Sequence, residues 1–300
     1  MSDIVYPVVV ENLSKIYPNG TKALDNVSVS IDKGITCIVG PNGAGKTTLL
    51  KILSTQMKYT SGKVEVLGYD VERKTNEIRK WIAVVPQESM PVNELTPFEH
   101  VYYYLLSRGV ERNIARKNTE YTLHKLGLWN IKDKLAISLS GGMKRRVLIA
   151  MALATKAPLI LLDEPTIGLD PISRKETWAL ISEIKEDGAN LIITTHYMEE
   201  AEALGDEMIV INKGKVLAKG SAEVLKKNLH FDKKIAVEKG IEKEFLEHFG
   251  KVVPYGNFYF LYPEDLNVAV NNLLSKNISF QIMSPSLEDV FMEIIGNNEK

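Results

Sequence analysis

The chain has 300 residues, 45% hydrophobic and 25% charged, and its 37 basic and 38 acidic side chains give a formal net charge of −1. This length predicts two domains, or one large domain with an appendage, and the even charge excludes the basic surface typical of nucleic-acid-binding proteins. The single cysteine, Cys37, and the lack of an apolar run near the roughly 20 residues that cross a bilayer predict a cytosolic chain that does not span a membrane.

The first two thirds of the chain alternate short apolar runs with longer amphipathic segments, which is typical of an α/β fold. Uninterrupted Val, Ile and Leu predict four buried strands of a parallel sheet: Ile35–Val39, Ile82–Val85, Leu159–Leu162 and Leu191–Thr195. The carboxyl ends of such strands share one edge of the sheet, where ligands bind. We therefore expect one site from the residues that follow the four strands: Gly40, Gln87, Asp163 with Glu164, and His196.

Helical periodicity replaces this pattern between the second and third predicted strands. It predicts helices at Thr96–Arg108, Ile114–Leu126 and Gly142–Thr155, with no strand among them. We interpret the segment of about residues 88–158 as a helical subdomain inserted into the sheet.

A glycine-rich loop follows the first predicted strand. Residues 40–47 read Gly-Pro-Asn-Gly-Ala-Gly-Lys-Thr and match the G-x-x-x-x-G-K-[ST] phosphate-binding pattern. Its backbone N–H groups and the dipole of the helix that follows favour a phosphate, Lys46 adds a charge on the β- and γ-phosphates, and the Thr47 hydroxyl ligates Mg²⁺. The residues expected to contact ATP here are Asn42, Gly43, Gly45, Lys46, Thr47 and Thr48.

Two carboxylates end the third predicted strand. Asp163 suits a direct or indirect contact with Mg²⁺, and Glu164 is placed to orient or deprotonate the water that attacks the γ-phosphate. An apolar strand that ends in two acids is common, and the phosphate-binding loop upstream is what makes this pair a predicted catalytic site.

These motifs together resemble the ATPase subunits of ABC transporters over about residues 5–220. Leu139–Arg146 resembles the signature loop of that family and Gly168–Asp170 its D-loop. The resemblance implies that Tyr17 stacks on adenine, that Gln87 is the Q-loop ligand of Mg²⁺, and that His196 contacts the γ-phosphate. It also implies a P-loop NTPase core of the RecA-like, ABC type, with ATP and Mg²⁺ as substrate and cofactor.

Ser140, Gly141 and Gly142 precede the helical stretch that runs through Lys144–Ala154 and so offer a second helix N-terminus to an anion. By resemblance, this site receives the ATP of a facing subunit, in a homodimer or in a pair with another ABC ATPase. Met143 stands where the family usually has Gln, which puts that one side-chain contact in question. We interpret Lys144, Arg145 and Arg146 as a solvated helix face.

The division of the chain is expected near residue 222, between an ATPase domain, 1–222, and an accessory domain, 223–300. The sequence pattern of the second part predicts the element order βαββαβ, which is that of a small α+β domain of ferredoxin-like type. Its predicted strands and helices, in chain order, are Lys233–Val237, Glu242–Phe249, Lys251–Pro254, Phe258–Tyr262, Leu266–Ser275 and Ser279–Met283.

The expected function is that of an ATP-driven motor on the cytoplasmic face of a membrane, acting through a separate transmembrane permease. Ser284–Phe291 resembles the ending of drug- and antibiotic-resistance export ATPases, which favours export. An importer ATPase stays open as the nearest alternative. An ABC ATPase that acts on ribosomes or DNA is a further one, although we expect no nucleic-acid partner. A kinase or GTPase of another P-loop family leaves the signature loop and His196 unexplained.

Overall fold

A parallel sheet forms the centre of the first of two structural units, Met1–Ser221 and Ala222–Lys300. The computed structural model describes residues 6–186, 188–227, 229 and 231–298. The strands of the first unit are β1 (Val8–Ile16), β2 (Lys22–Ile31), β3 (Ile35–Val39), β4 (Ser61–Val66), β5 (Tyr69–Asp70), β6 (Ile82–Val85), β7 (Leu159–Asp163), β8 (Asn190–Thr195), β9 (Glu207–Asn212) and β10 (Lys215–Gly220). Its helices are α1 (Lys46–Leu53), α2 (Thr75–Trp81), α3 (Pro97–Ser107), α4 (Arg112–Lys125), α5 (Gly141–Ala154), α6 (Pro171–Glu186) and α7 (Met198–Leu204).

The central sheet has the strand order β10-β9-β3-β8-β7-β6, with parallel neighbours except for the edge strand β10. It contains all four strands predicted from uninterrupted apolar runs, which confirms that prediction. The register places Val39 opposite Thr195 and Asp163 opposite Thr194. The strands β3, β8 and β7 therefore end side by side at the same edge of the sheet. The loops that follow these strands are brought together there.

A second sheet, of order β2-β1-β4-β5, is antiparallel, and α1 packs between it and the central sheet. The apolar side chains of α1, including Leu49, Leu50, Ile52 and Leu53, are buried in a core cluster that contains residues of both sheets. This packing fixes the N-terminus of α1, and with it the phosphate-binding loop, against the central sheet.

Three helices and two 3₁₀ turns occupy the described segment between β6 and β7, and this segment contains no strand. The prediction of three helices is confirmed. Helix α3 begins with a capping box, in which Thr96 and Glu99 each accept a hydrogen bond from the other's backbone N–H. Among the residues that the structure describes, no helix has both the length and the apolar character to cross a membrane.

The second unit has the βαββαβ order that the sequence predicts. Its elements are α8 (Ala222–Lys227), β11 (Lys234–Glu238), α9 (Lys243–Glu247), β12 (Gly250–Tyr255), β13 (Phe258–Pro263), α10 (Leu266–Ser275), β14 (Phe280–Met283) and α11 (Leu287–Asn298). All pairs in its sheet, of order β12-β13-β11-β14, are antiparallel, which is the arrangement of a split βαβ, ferredoxin-like fold. Ile235, Val237 and Leu261 pack on one face of the sheet with Leu246 and Leu273 of the helices.

Cys37 lies in the middle of β3 and is fully buried. Burial raises the pKa of its thiol far above the usual value, so the reactive thiolate is disfavoured. We expect the native chain not to react with Ellman's reagent over the time in which the urea-unfolded chain reacts completely. Rapid stoichiometric labelling of the native chain would contradict the placement of this residue.

Candidate nucleotide-binding site

The phosphate-binding loop connects β3 to α1 at the edge of the central sheet. Steric crowding excludes a side chain at two glycines of the loop. A Cβ atom on Gly40 would lie 2.1 Å from the carbonyl oxygen of Ile211, and a Cβ atom on Gly45 would lie 2.5 Å from the carbonyl oxygen of Ala23. Gly45 also has a φ of +107°, which side chains rarely adopt. The loop is therefore held close to its neighbours in a curled conformation that leaves its inner face open.

Lys46 is 4% exposed and lies at the start of α1. Its Nζ donates to the carbonyl oxygens of Gly40 at 2.8 Å and Pro41 at 3.0 Å, and lies 3.6 Å from Oε1 of Glu164. Burial lowers the pKa of Lys46, and the carboxylates of Glu164 and Asp163 act in the opposite direction. The ammonium group is thus held beneath the loop, where it can bind an anion.

Asp163 ends β7 beside this loop and Glu164 follows it, and both are buried. Oδ1 of Asp163 accepts a hydrogen bond from Oγ1 of Thr47 at 3.1 Å and another from the hydroxyl of Thr194. The hydroxyl and carboxylate that the sequence assigned to Mg²⁺ are therefore in direct contact.

Glu164 has a φ of +45°, which is uncommon outside glycine and is often found at functional sites. Its N–H donates to the carbonyl oxygen and the hydroxyl of Thr194, at 3.1 and 3.0 Å, which holds this conformation. Its Oε2 accepts from Nε2 of Gln87 at 3.3 Å and lies 3.2 Å from Nδ1 of His196, without hydrogen-bond geometry. Residues following β6, β7 and β8 thus meet at one carboxylate.

The phosphate-binding loop, Gln87 and Glu164 border a cleft of about 450 Å³, whereas Asp163 and His196 are not among the described residues that line it. The hydroxyls of Tyr17 and Thr48 share a hydrogen bond of 3.1 Å on its wall. Predicted residues that line the cleft are Tyr17, Asn42, Gly43, Gly45, Lys46, Thr47, Thr48, Gln87 and Glu164. Ala44, a member of the predicted loop motif, lines it as well, and four further lining residues that the sequence reasoning missed are Thr21, Lys22, Ala23 and Ile167. The first three lie at or directly before the start of β2, four to six residues after Tyr17, so their place in the chain was the available signal.

Ser140 caps the N-terminus of α5, and its Oγ accepts from the N–H of Met143 at 3.3 Å. Within the described part of the chain, neither Ser140 nor Gly141 nor Gly142 lines the cleft. The structure therefore brings the phosphate-binding loop together with Gln87, Asp163, Glu164 and His196. The signature-loop residues lie outside the cleft.

The interpretation of Lys144, Arg145 and Arg146 as a solvated face is wrong for Arg145. Its guanidinium is buried, and it donates to the backbone carbonyl groups of residues 86–87 and 163–165. Arg146 forms an ion pair with Glu176 and Lys144 is half-buried. A run of three basic residues on a helix spans more than one face, so one of them can point into the core.

The curled loop, its buried lysine and the two carboxylates define a P-loop nucleoside triphosphatase. The profile of the ABC transporter family matches residues 24–167. Human phospholipid-transporting ATPase ABCA3 is 36% identical over 231 residues, which cover 75% of this chain. CbiO1 of Clostridium perfringens, part of the ABC transporter complex cbiONQ, has 30% identity and a TM-score of 0.67, with 75% of this chain and 94% of that chain covered.

A third similar protein is the ATP-binding cassette MJ0796, solved as a dimer in a post-hydrolysis state with ADP and Pi. It has 29% identity and a TM-score of 0.64, with 71% of this chain and 98% of that chain covered. The chain belongs to the ABC transporter family and has the fold of its ATPase domains. It spans 13% of the length of the human ABCA3 protein.

Proposed function

We propose that the chain is the ATP-binding and ATP-hydrolysing motor of a transporter whose membrane-spanning part is a separate polypeptide. The observation that carries this proposal is the meeting of Lys46, Gln87, Glu164 and His196 around the phosphate-binding loop. These groups lie in segments that follow different strands of the sheet, and they meet where a triphosphate would end. The motor corresponds to residues 1–222, and residues 223–300 are an accessory domain.

The donor set fits ATP with Mg²⁺. The oxygen ligands of Thr47, Asp163 and Gln87 are of the hard kind that Mg²⁺ prefers, and Mg²⁺ usually takes one or two carboxylates together with phosphate oxygens. Among the described residues there is no cluster of three or more His, Cys, Asp and Glu side chains that would hold a metal alone. When bound, Mg²⁺ would neutralise charge on the phosphates.

Glu164 is proposed as the group that accepts the proton of the attacking water. In this structure its carboxylate lies between Lys46, Gln87 and His196, and ATP would displace the first of these contacts by taking the Lys46 ammonium. Lys46 and His196 then stabilise the charge of the transferring phosphoryl group, and Tyr17 stacks on the adenine.

The signature loop completes the site from a second copy, or from a paired ABC ATPase. Ser140, Gly141 and Gly142 form a helix N-terminus at α5, where N–H groups and the helix dipole favour an anion, and the cleft of the same chain does not use it. MJ0796 is solved as a dimer with ADP and Pi, which supports pairing of two chains. In the proposed pair, related by a two-fold axis, each copy provides this segment to the other's ATP.

An exposed apolar surface supports contact with a membrane partner on the cytoplasmic side. Met90, Ile137 and Val92 are 77%, 64% and 54% exposed, and they lie on the segment after Gln87 and the segment before Ser140. The two segments are joined by a hydrogen bond from the N–H of Ile137 to the carbonyl of Asn93. Apolar surface next to the Q-loop is suited to transmit nucleotide state to a partner.

The direction of transport and the transported molecule are further parts of the proposal. The resemblance of Ser284–Phe291 to the ending of resistance exporters favours export, and the ABCA3 name adds phospholipids as a candidate class of substrate. Co-purification with a periplasmic-type binding protein would instead favour import.

Lys46→Ala tests the nucleotide site directly. Removing a charge-assisted contact of about 1.5–3 kcal/mol should weaken ATP binding by roughly 10- to 150-fold, measured by equilibrium dialysis with Mg²⁺. Removing Mg²⁺ with EDTA should weaken binding to the wild-type chain as well. Lys63→Ala, on an exposed residue of β4, serves as the matched control and should bind like wild type. Equal ATP retention by Lys46→Ala and wild type would contradict the proposed site.

A further inference from the structure

Arg145 joins three parts of the molecule that are distant in sequence. It lies on α5, the helix that Ser140 caps, and it is 7% exposed. Its Nη2 donates to the carbonyl oxygens of Asp163 at 2.9 Å and Glu164 at 3.1 Å, and its Nε donates to that of Pro165 at 2.8 Å. These contacts hold the segment that carries the catalytic carboxylate.

The remaining nitrogen of the same guanidinium contacts the Q-loop. Nη1 of Arg145 lies 3.3 Å from the carbonyl oxygen of Pro86 and 3.4 Å from that of Gln87, and donates to both. Because a guanidinium is planar and its donors have fixed directions, these contacts fix the two segments relative to each other as well as to α5. A shift of either segment against the helix would break hydrogen bonds in the protein interior.

The charge of Arg145 is supported where it lies. Burial lowers the pKa of its guanidinium, and the carboxylates of Asp163, Glu200 and Glu164 raise it, so that part of the burial cost is offset. Arg remains protonated in proteins. A permanent cation with several carbonyl acceptors is therefore a stable link, and a helix face exposed to solvent would not need one.

We propose that Arg145 is a positioning residue that aligns Gln87 and Glu164 with the signature helix α5. The inference rests on the proposed function, in which Ser140 of one copy binds the ATP of its partner. Glu164 of the same copy activates water at the ATP that is bound in its own cleft. Arg145 connects these two roles within one chain. Docking of Ser140 on the partner's nucleotide is thereby transmitted to the carboxylate that activates water.

Arg145→Lys in the full chain is the test. Lysine keeps the charge but replaces the planar fork by one ammonium group, which cannot hold both segments in the same geometry. We expect kcat for ATP hydrolysis to fall at least about tenfold while the Kd for ATP changes less than about threefold. Amide hydrogen exchange should become faster in residues 87–89, in Glu164 and in residues 166–168, and stay unchanged in β3 and α1.

Arg116→Lys is the matched control, because Arg116 is an exposed arginine of α4 that pairs with Glu120. It should equal wild type in every readout. A kcat of Arg145→Lys within twofold of wild type with unchanged exchange overturns the proposal. So does faster exchange throughout Met1–Ser221 with kcat and ATP affinity lost together, since that result indicates a general loss of stability. Absence of ATP turnover in wild type would contradict the proposed function instead, and the exchange measurement would then decide the role of Arg145.

Discussion

Glu164→Gln is expected to lower ATP turnover by about 10²- to 10⁴-fold and to leave ATP binding intact, because an amide cannot take a proton from the attacking water. The substitution preserves the shape of the side chain, so contacts with Gln87 and His196 can persist. Since the bound ATP is no longer consumed, a complex of two chains should accumulate. Phosphate release measures the turnover, and size-exclusion chromatography with ATP and Mg²⁺ measures the complex.

Glu120→Gln provides the control for the change of acid to amide. Glu120 is a partly exposed residue of α4 paired with Arg116, and its variant should hydrolyse ATP at the wild-type rate. Adding Ser140→Ala to Glu164→Gln should reduce the ATP-dependent complex, because Ser140 is proposed to bind the partner's nucleotide. Turnover of Glu164→Gln within tenfold of wild type would remove Glu164 from the role of general base.

Two properties of parallel sheets made the central sheet and most of the cleft predictable. Strands covered on both faces are uninterrupted apolar runs, which makes β3, β6, β7 and β8 visible in the sequence. Parallel strands end at one edge, so residues such as Gln87 and Glu164, distant in the chain, had to converge. The proximity of Gln87 and Glu164 follows from topology, whereas their 3.3 Å hydrogen bond is visible only in the structure.

The antiparallel sheet was not predicted, because its strands lack a regular pattern. β1 changes register with β2 between Val10 and Leu13, and Asn12 and Asn26 have positive φ values, so the alternation of apolar and polar residues is interrupted. Without β2, the lining of the cleft by Thr21, Lys22 and Ala23 was not visible either.

The burial of Arg145 could not be read from the sequence for a different reason. Its partners are backbone carbonyl groups, such as those of Pro86 and Pro165, and every residue type supplies a carbonyl. A sequence pattern records side chains, so a guanidinium that binds the main chain leaves no complementary residue to find. The helix face that carries Arg145 is defined by the packing of α5 against other elements, which the local sequence does not determine.

A buried ion pair connects β11 to α11 in the second unit, on the face of the sheet opposite to the apolar cluster. Lys234 of β11 and Asp289 of α11 are 4% and 5% exposed, and Nζ of Lys234 lies 2.9 and 2.7 Å from the two carboxylate oxygens. The hydroxyl of Tyr262 also donates to Asp289, at 2.7 Å, as does the N–H of Ser286, at 2.6 Å. One carboxylate thereby joins β11 and β13 to the first turn of α11.

Asp289→Ala is expected to destabilise this unit by about 3–5 kcal/mol, because it leaves the Lys234 ammonium buried without its partner. Amide hydrogen exchange in β11, β13 and α11 measures the loss as reduced protection. The tryptophans, Trp81, Trp129 and Trp178, all belong to Met1–Ser221, so the tryptophan-monitored unfolding of that unit should not change. Unchanged exchange in β11 and α11 would contradict the role assigned to the pair.

The same pair should make the second unit sensitive to acid. Burial alone raises the pKa of Asp289, but hydrogen bonds from Lys234, Tyr262 and Ser286 outweigh it and leave the pKa below its ordinary value. A carboxyl whose pKa is lower in the folded than in the unfolded chain stabilises the fold above the unfolded value of about 3.9. That stabilisation is lost as the pH falls through the folded pKa, so protection in wild type should decline below about pH 4.

The triple variant Lys234→Met, Asp289→Leu and Tyr262→Phe separates the cost of an unpaired charge from the net value of the network. Replacing a whole buried ion pair by apolar residues of similar size is often neutral, so the triple variant should regain most of the protection that Asp289→Ala loses. It should also lose the part of the acid sensitivity that Asp289 causes. Glu247→Ala, which breaks the exposed pair with Lys243 in the same unit, should leave exchange in β11 unchanged. If the triple variant is as unstable as Asp289→Ala, the polar contacts themselves hold α11 on the sheet, and the unpaired-charge explanation is wrong.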